Sequence, residues 1–168
     1  MSTSDLYILN GKSTRHLAEF RNGWGSAPMA WDYLAEKYIP EKPAYSLAES
    51  HLEKVWKLAE DDRLEPFERC VLMMTFDRSY VPVANLKDAA EACEMFGKAC
   101  ENGKHVNHWV AIGAALREAA GMRFSRHTRG VALSCTSVND CWAWPSEKWL
   151  TEAWPIFEAA QPLDLSEG

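Results

Sequence analysis

Arg117, Arg123, Arg126, His127 and Arg129 fall within thirteen positions and form the basic cluster of an otherwise acidic chain. Planar guanidinium forks pair bidentately with phosphate and carboxylate oxygens, so this stretch is the expected anion- or ligand-binding site. The competing reading is a solvated loop, because positive charge is favourable after a helix C-terminus in any case. Just downstream, Cys135 and Cys141 bracket Thr136-Ser137-Val138-Asn139-Asp140, a strand running into a polar turn. A nucleophilic cysteine needs a base and an electropositive setting, and His127 with Arg126 and Arg129 precedes Cys135 closely enough in sequence to raise that chemistry. An inert strand cysteine and an inert turn cysteine is the plainer reading, since no motif ties these residues together. No residue is therefore assigned as catalytic.

His105 and His108 are three apart, which on a helix puts both imidazoles on one face at adjacent turns, as a metal-ligand pair requires. Two ligands do not close a site. Structural zinc takes about four, and no paired-cysteine motif supplies the others. A first helical turn with solvated histidines is preferred, and neither a metal nor a cofactor is expected. The chain has no phosphate loop, dinucleotide fingerprint, nucleophile elbow, HExxH or kinase signature. The enzyme classes that depend on those motifs are disfavoured.

The chain holds eight tryptophans, more than one core of this size is expected to place with every indole N–H bonded, so some should lie at a contact surface. Trp24 and Trp31 flank a Gly- and Pro-containing segment, and Trp142 and Trp144 follow a polar turn. These four, with Arg78 as a polar anchor, are the expected partner-binding residues. Trp56, Trp109 and Trp149 lie on apolar stripes and are expected in the core.

The elements that must position these residues are mostly helical. Trp31, Leu34, Ala35 and Tyr38 follow the i, i+3, i+4, i+7 rule behind Ser26 and Pro28, and Pro40 and Pro43 end that helix. Ser46 and Glu49 suggest a capping box for a second helix reaching about Asp62. A short third helix opens at Pro66. Asn85 precedes a fourth, with Ala89, Ala92, Cys93, Phe96 and Cys100 on one face, and a fifth is expected from about His105 to Ala120, closed by Gly121. A last helix should follow Ser146, kinked at Pro155. Three short strands are expected near residues 6–9, 80–83 and 130–138. The expectation is thus α+β, a mostly helical single domain over residues 1–168, with about six helices on a two- to three-stranded sheet. Residues 1–5 and 162–168 read as frayed tails.

Apolar residues make up 47% and charged residues 25%, which excludes disordered and fibrous classes. A net charge of -6 argues against a protein whose main work is neutralising a nucleic-acid backbone. The start has no basic-then-apolar signal pattern, and the longest apolar run, residues 109–116, is far short of the roughly 20 needed to span a bilayer. Five cysteines without a repeated short spacing fit reduced thiols. The expected location is the cytoplasm.

Arg21-Asn22-Gly23-Trp24-Gly25 with Trp31, Thr75-Phe76-Asp77-Arg78, and Arg129-Gly130-Val131-Ala132-Leu133 through Thr136-Ser137-Val138-Asn139 together resemble small accessory proteins of tailed bacteriophages and prophages. The resemblance implies a protein of the infected host's cytoplasm, a setting in which such domains bind and block host proteins, and it carries over no catalytic residue. The leading expectation is a non-enzymatic protein that docks on and inhibits a host protein of antiviral defence. The alternative is a small-ligand or nucleotide-binding protein, or a minor enzyme, built on the Arg117 to Arg129 cluster with His127 and Cys135. A host protein is the expected partner and a small phosphorylated ligand the alternative one, with nucleic acid disfavoured and no membrane.

Overall fold

The computed structural model describes residues 2–11, 13–76, 79–101, 106–135 and 161–162. The chain opens with an antiparallel hairpin of β1 (Thr3–Asn10) and β2 (Ser13–Arg21). Gly11 sits in its turn at φ 57°, a left-handed conformation that costs a residue with a Cβ and costs glycine nothing. A 3-10 turn over Gly23–Gly25 leads into α1 (Ala27–Tyr38), then α2 (Glu49–Lys57) and α3 (Pro66–Met74). The chain returns to the sheet as β3 (Ser79–Pro82), leaves through α4 (Leu86–Ala99) and α5 (Trp109–Ala120), and re-enters as β4 (Thr128–Cys135). A two-residue strand, β5 (Gln161–Pro162), pairs with β3.

The fold is α+β, with five α-helices and a four-stranded antiparallel sheet among the described residues, extended by the short β5. The strand order is β2-β1-β4-β3-β5. Register places Leu6 opposite Leu133, Ile8 opposite Val131, and Val131 opposite Val81. Directly opposed residues point to one side of a sheet, so these five form an apolar face. All five are buried and belong to one core cluster with Trp31, Leu52, Val71, Phe96, Trp109 and Ile112 from the five helices.

Two expectations change here, and a third is not reached. The sheet is larger than two or three strands, because β2 was not anticipated. Residues 3–5 are not a frayed tail: all three pair with β2, and Ser4 and Asp5 pair with β4 as well. The sixth helix, expected after Ser146, lies outside the described residues. Two helix starts also shift. The second helix begins at Glu49 with Ala48 at the N-cap rather than at a Ser46 box, and the fifth begins at Trp109 rather than near His105.

Helices α1 and α3 are tied by a buried carboxylate. Glu68, fully buried, accepts from the Tyr38 hydroxyl at 2.6 Å and from the Glu65 amide at 2.9 Å, and meets Lys37 Nζ at 3.0 Å. Glu65 and Glu68 thereby form the capping box of α3, with Pro66 at its first position. Burial, then the bond to Glu68, holds the Tyr38 phenol above its usual pKa. Lys37 loses some of its preference for charge to burial, but the hydrogen bond and charge of Glu68 more than offset this and raise its pKa. No helix among the described residues is long and apolar enough to cross a membrane.

Gly130 is where β3 and β4 come closest. A Cβ built there would lie 1.9 Å from the Val81 carbonyl oxygen, a backbone atom with no room to yield. Gly130→Ala is expected to lower stability by about 1–3 kcal/mol or more, the usual cost of overpacking. Urea unfolding midpoints check this, and a midpoint equal to wild type would show that β3 does not hold this register.

Candidate functional site

The hairpin turn and the loop between α5 and β4 face each other across an open cleft of about 500 Å3. One wall is Ile8, Asn10 and Gly11 from the end of β1 and its turn, with Arg15 from β2; the other runs from Arg123 through Phe124 and Ser125 to His127 and Thr128. The Gly11 amide donates to the His127 carbonyl at 2.9 Å, and the Thr128 hydroxyl donates to Asn10 Oδ1 at 2.6 Å, so the walls are bonded where they meet. The loop also braces itself. The Ser125 hydroxyl accepts from the His127 amide at 3.2 Å, the two-residue span of a serine turn, and the Thr128 amide donates to the Ser125 carbonyl at 3.1 Å.

The cleft presents donors. Arg15, Arg123 and His127 are exposed, and no acidic residue lines it. Among the described residues neither Arg15 nor Arg123 has an acidic partner. Asn10 spends its carbonyl oxygen on Thr128, leaving its amide NH2 as the outward group. Arg126 Nε donates to His127 Nε2 at 3.3 Å, which puts the neutral imidazole's proton on Nδ1. Two guanidinium groups, an amide and an imidazole therefore line the cleft from two walls, a set of donors that suits an acceptor-rich anion.

The expected basic cluster divides. Arg123 and His127 line the cleft, and Arg126 braces His127 at its rim. Arg117 does not join them: it lies on α5 and grips Glu94 of α4 through two bonds of 2.9 Å. Arg129, on β4, holds its guanidinium 5.7 Å from the Tyr80 ring centroid. Cys135 is not beside His127. It ends β4 at the opposite extremity, paired with Ser4, and eight positions of extended chain span roughly 25 Å. His127 and Cys135, close in sequence, therefore lie at opposite ends of β4. Arg15 was missed, because the segment carrying it gave no readable strand pattern.

The aromatic surface also divides. Trp31 is 1% exposed and donates its indole N–H to Thr75 Oγ1 at 2.9 Å, so it is core and not a contact residue. Trp56 and Trp109 are buried as expected, and Trp24 is 45% exposed. Arg78, Trp142 and Trp144 lie outside the described residues, as do His105 and Cys141. His108 is engaged by protein: its Nε2 donates to the carbonyls of Arg21 at 2.7 Å and Asn22 at 2.9 Å. Among the described residues no three His, Cys, Asp or Glu side chains gather as a metal would require.

No protein-family model, curated protein or solved structure matches this chain.

The Arg117 and Glu94 pair has a measurable signature. Its hydrogen bond and charge hold the Glu94 carboxyl below its ordinary value of 4.5, against a smaller opposing effect of burial. A depressed folded-state value means that the pair's contribution is complete above 4.5 and is lost as pH falls through the lower, folded value. Arg117→Ala should therefore flatten the acid limb of a stability-against-pH curve. An acid limb as steep as wild type would mean the pair is not formed in solution.

Proposed function

We propose that this protein acts by binding rather than by turnover, and that its ligand is a small phosphate-bearing anion held in the cleft between the β1–β2 turn and the α5–β4 loop. The observation that carries this reading is the presence of Arg15 and Arg123 on opposite walls of one cleft, each without an acidic partner among the described residues. In a chain of net charge -6, like charges facing one cavity repel each other and gain from an anion between them. A cleft lined by one sign of charge also raises the local concentration of the opposite ion. The guanidinium fork matches phosphate geometry, and the bracing of the loop by Ser125 and Thr128 spares the ordering cost that a floppy loop would incur on binding. Catalysis is not part of the proposal, because the arrangement offers no nucleophile paired with a base.

Thermal unfolding in the presence of phosphorylated compounds tests this directly. A binding compound at a hundredfold excess over its dissociation constant stabilises the folded state by about 2.7 kcal/mol. Arg123→Ala and Arg15→Ala should each weaken binding by about 1.5–3 kcal/mol, the range for hydrogen bonds to charged groups. Melting temperatures that no phosphorylated compound moves would sink the proposal.

A second reading, docking on a host protein as the phage resemblance implies, is favoured by Trp24 alone. Its indole is exposed while the loop beneath it is fixed: Asn22 holds φ 64°, and the Gly25 carbonyl accepts from the His108 amide at 2.9 Å. A rigid, half-exposed tryptophan is the sort of residue that dominates protein interfaces. The partner would be a component of antiviral defence. Tagged wild-type protein should retain that partner from bacterial lysate and Trp24→Ala should lose it, whereas equal recovery with both proteins would remove this reading.

A further inference from the structure

The cleft's polar rim is only part of its lining, and the remainder bears on what the anion is attached to. Ile8 and Phe124 are its apolar members. Ile8 is 2% exposed, while Phe124 is half-buried, both packed against the core and lining the cleft. An aromatic ring anchored in this way presents a fixed apolar surface at no further ordering cost. The cleft's volume, about 500 Å3, falls in the range of roughly 300–1,000 Å3 typical of pockets that hold whole small molecules. A bare phosphate ion would meet the arginines and leave the Phe124 side filled with water.

Resting on the anion-binding reading above, we infer that the ligand is a phosphate monoester that carries a planar aromatic ring, with its phosphate between Arg15 and Arg123 and its ring against Phe124. A nucleoside monophosphate is a common molecule of that class. Ring stacking on an aromatic side chain is tolerant of which base is present, because every base offers a π face. The polar groups of the lining agree with such tolerance. Asn10 Oδ1 is taken by Thr128 and Ser125 Oγ accepts from the His127 amide, and no carboxylate is present to read a base's amino groups. The cleft therefore selects for a phosphate with a flat ring, and discriminates weakly between one ring and another.

The test is calorimetric titration of the full chain with four probes: inorganic phosphate, glycerol 3-phosphate, phenyl phosphate and adenosine monophosphate. Phenyl phosphate and adenosine monophosphate are expected to bind on the order of tenfold more tightly than glycerol 3-phosphate, the fold-change that stacking on one ring supplies. Phe124→Leu, which keeps the apolar packing and removes the ring, should abolish the preference for the ring-bearing probes over glycerol 3-phosphate. Arg123→Ala should weaken all four. Equal affinities for glycerol 3-phosphate and phenyl phosphate in the wild type, or a preference that survives Phe124→Leu, would overturn the aromatic assignment and leave the anion site standing. Absence of binding by every probe would overturn both.

Discussion

The sheet and the helical layer are joined by a bend that needs donors for its carbonyl groups. Between the end of β2 and the start of α1 the chain turns sharply, with Asn22 in the left-handed region that asparagine tolerates better than most residues. Such a bend lies outside any regular ladder, and at the buried Gly25 and Ser26 a carbonyl without a donor would be costly. The start of α5 supplies them. His108 donates from its ring to Arg21 and Asn22 and from its amide to Gly25, and the buried Trp109 indole donates to the Ser26 carbonyl at 3.0 Å. The fit is close, since a Cβ on Gly25 would lie 2.6 Å from the His108 ring. His108 and Trp109, the N-cap and first residue of α5, thus anchor the bend from which α1 departs, and the same helix leads on to the loop that walls the cleft.

That junction also explains why Trp31, expected at a contact surface, is core. The expectation of surplus indole assumed that an interior of this size could not bond so many ring N–H groups. Trp31 and Trp109 find acceptors inside it, Thr75 Oγ1 and the Ser26 carbonyl, because α1 packs against α3 and its first turn against α5. Trp31 also meets Trp56 edge to face at 5.7 Å, a geometry that fits two large rings into one layer. Of the four tryptophans in the described residues, the exposed one is Trp24, which sits between two glycines and off any apolar stripe. Position on a stripe, rather than abundance, separates buried from exposed.

The helices were legible because a 3.6-residue repeat survives in their sequences: Trp31, Leu34 and Ala35 in α1, and Ala89, Ala92, Cys93 and Phe96 in α4, are all buried. Starts were less legible, because side chains commit to partners far away in sequence. Asn107, for instance, gives its amide to the Gly97 carbonyl and accepts the Trp109 amide, which begins α5 at that point. Strand β2 was invisible for a local reason. Its register shifts between Leu6 and Tyr7, leaving Leu17 as an extra residue, so Leu17, Ala18 and Phe20 break the alternation that would announce a strand. The candidate site was legible by half. Arg123 and His127 are neighbours in the chain, whereas Arg15 reaches them only through the pairing of β1 with β4.

That pairing has a consequence for the chain as it is being made. Residue 4 is matched with residue 135 and residue 10 with residue 128, so the partner of the first strand leaves the ribosome after more than a hundred other residues have emerged. Pairings this remote in sequence form slowly, since a long loop must close before they contribute anything. Until then β1 has β2 on one flank only, with an open row of amides and carbonyls on the other, the condition in which nascent chains adhere to one another. The charged, irregular β2 guards its own outer edge, and the inner one waits for β4 to arrive.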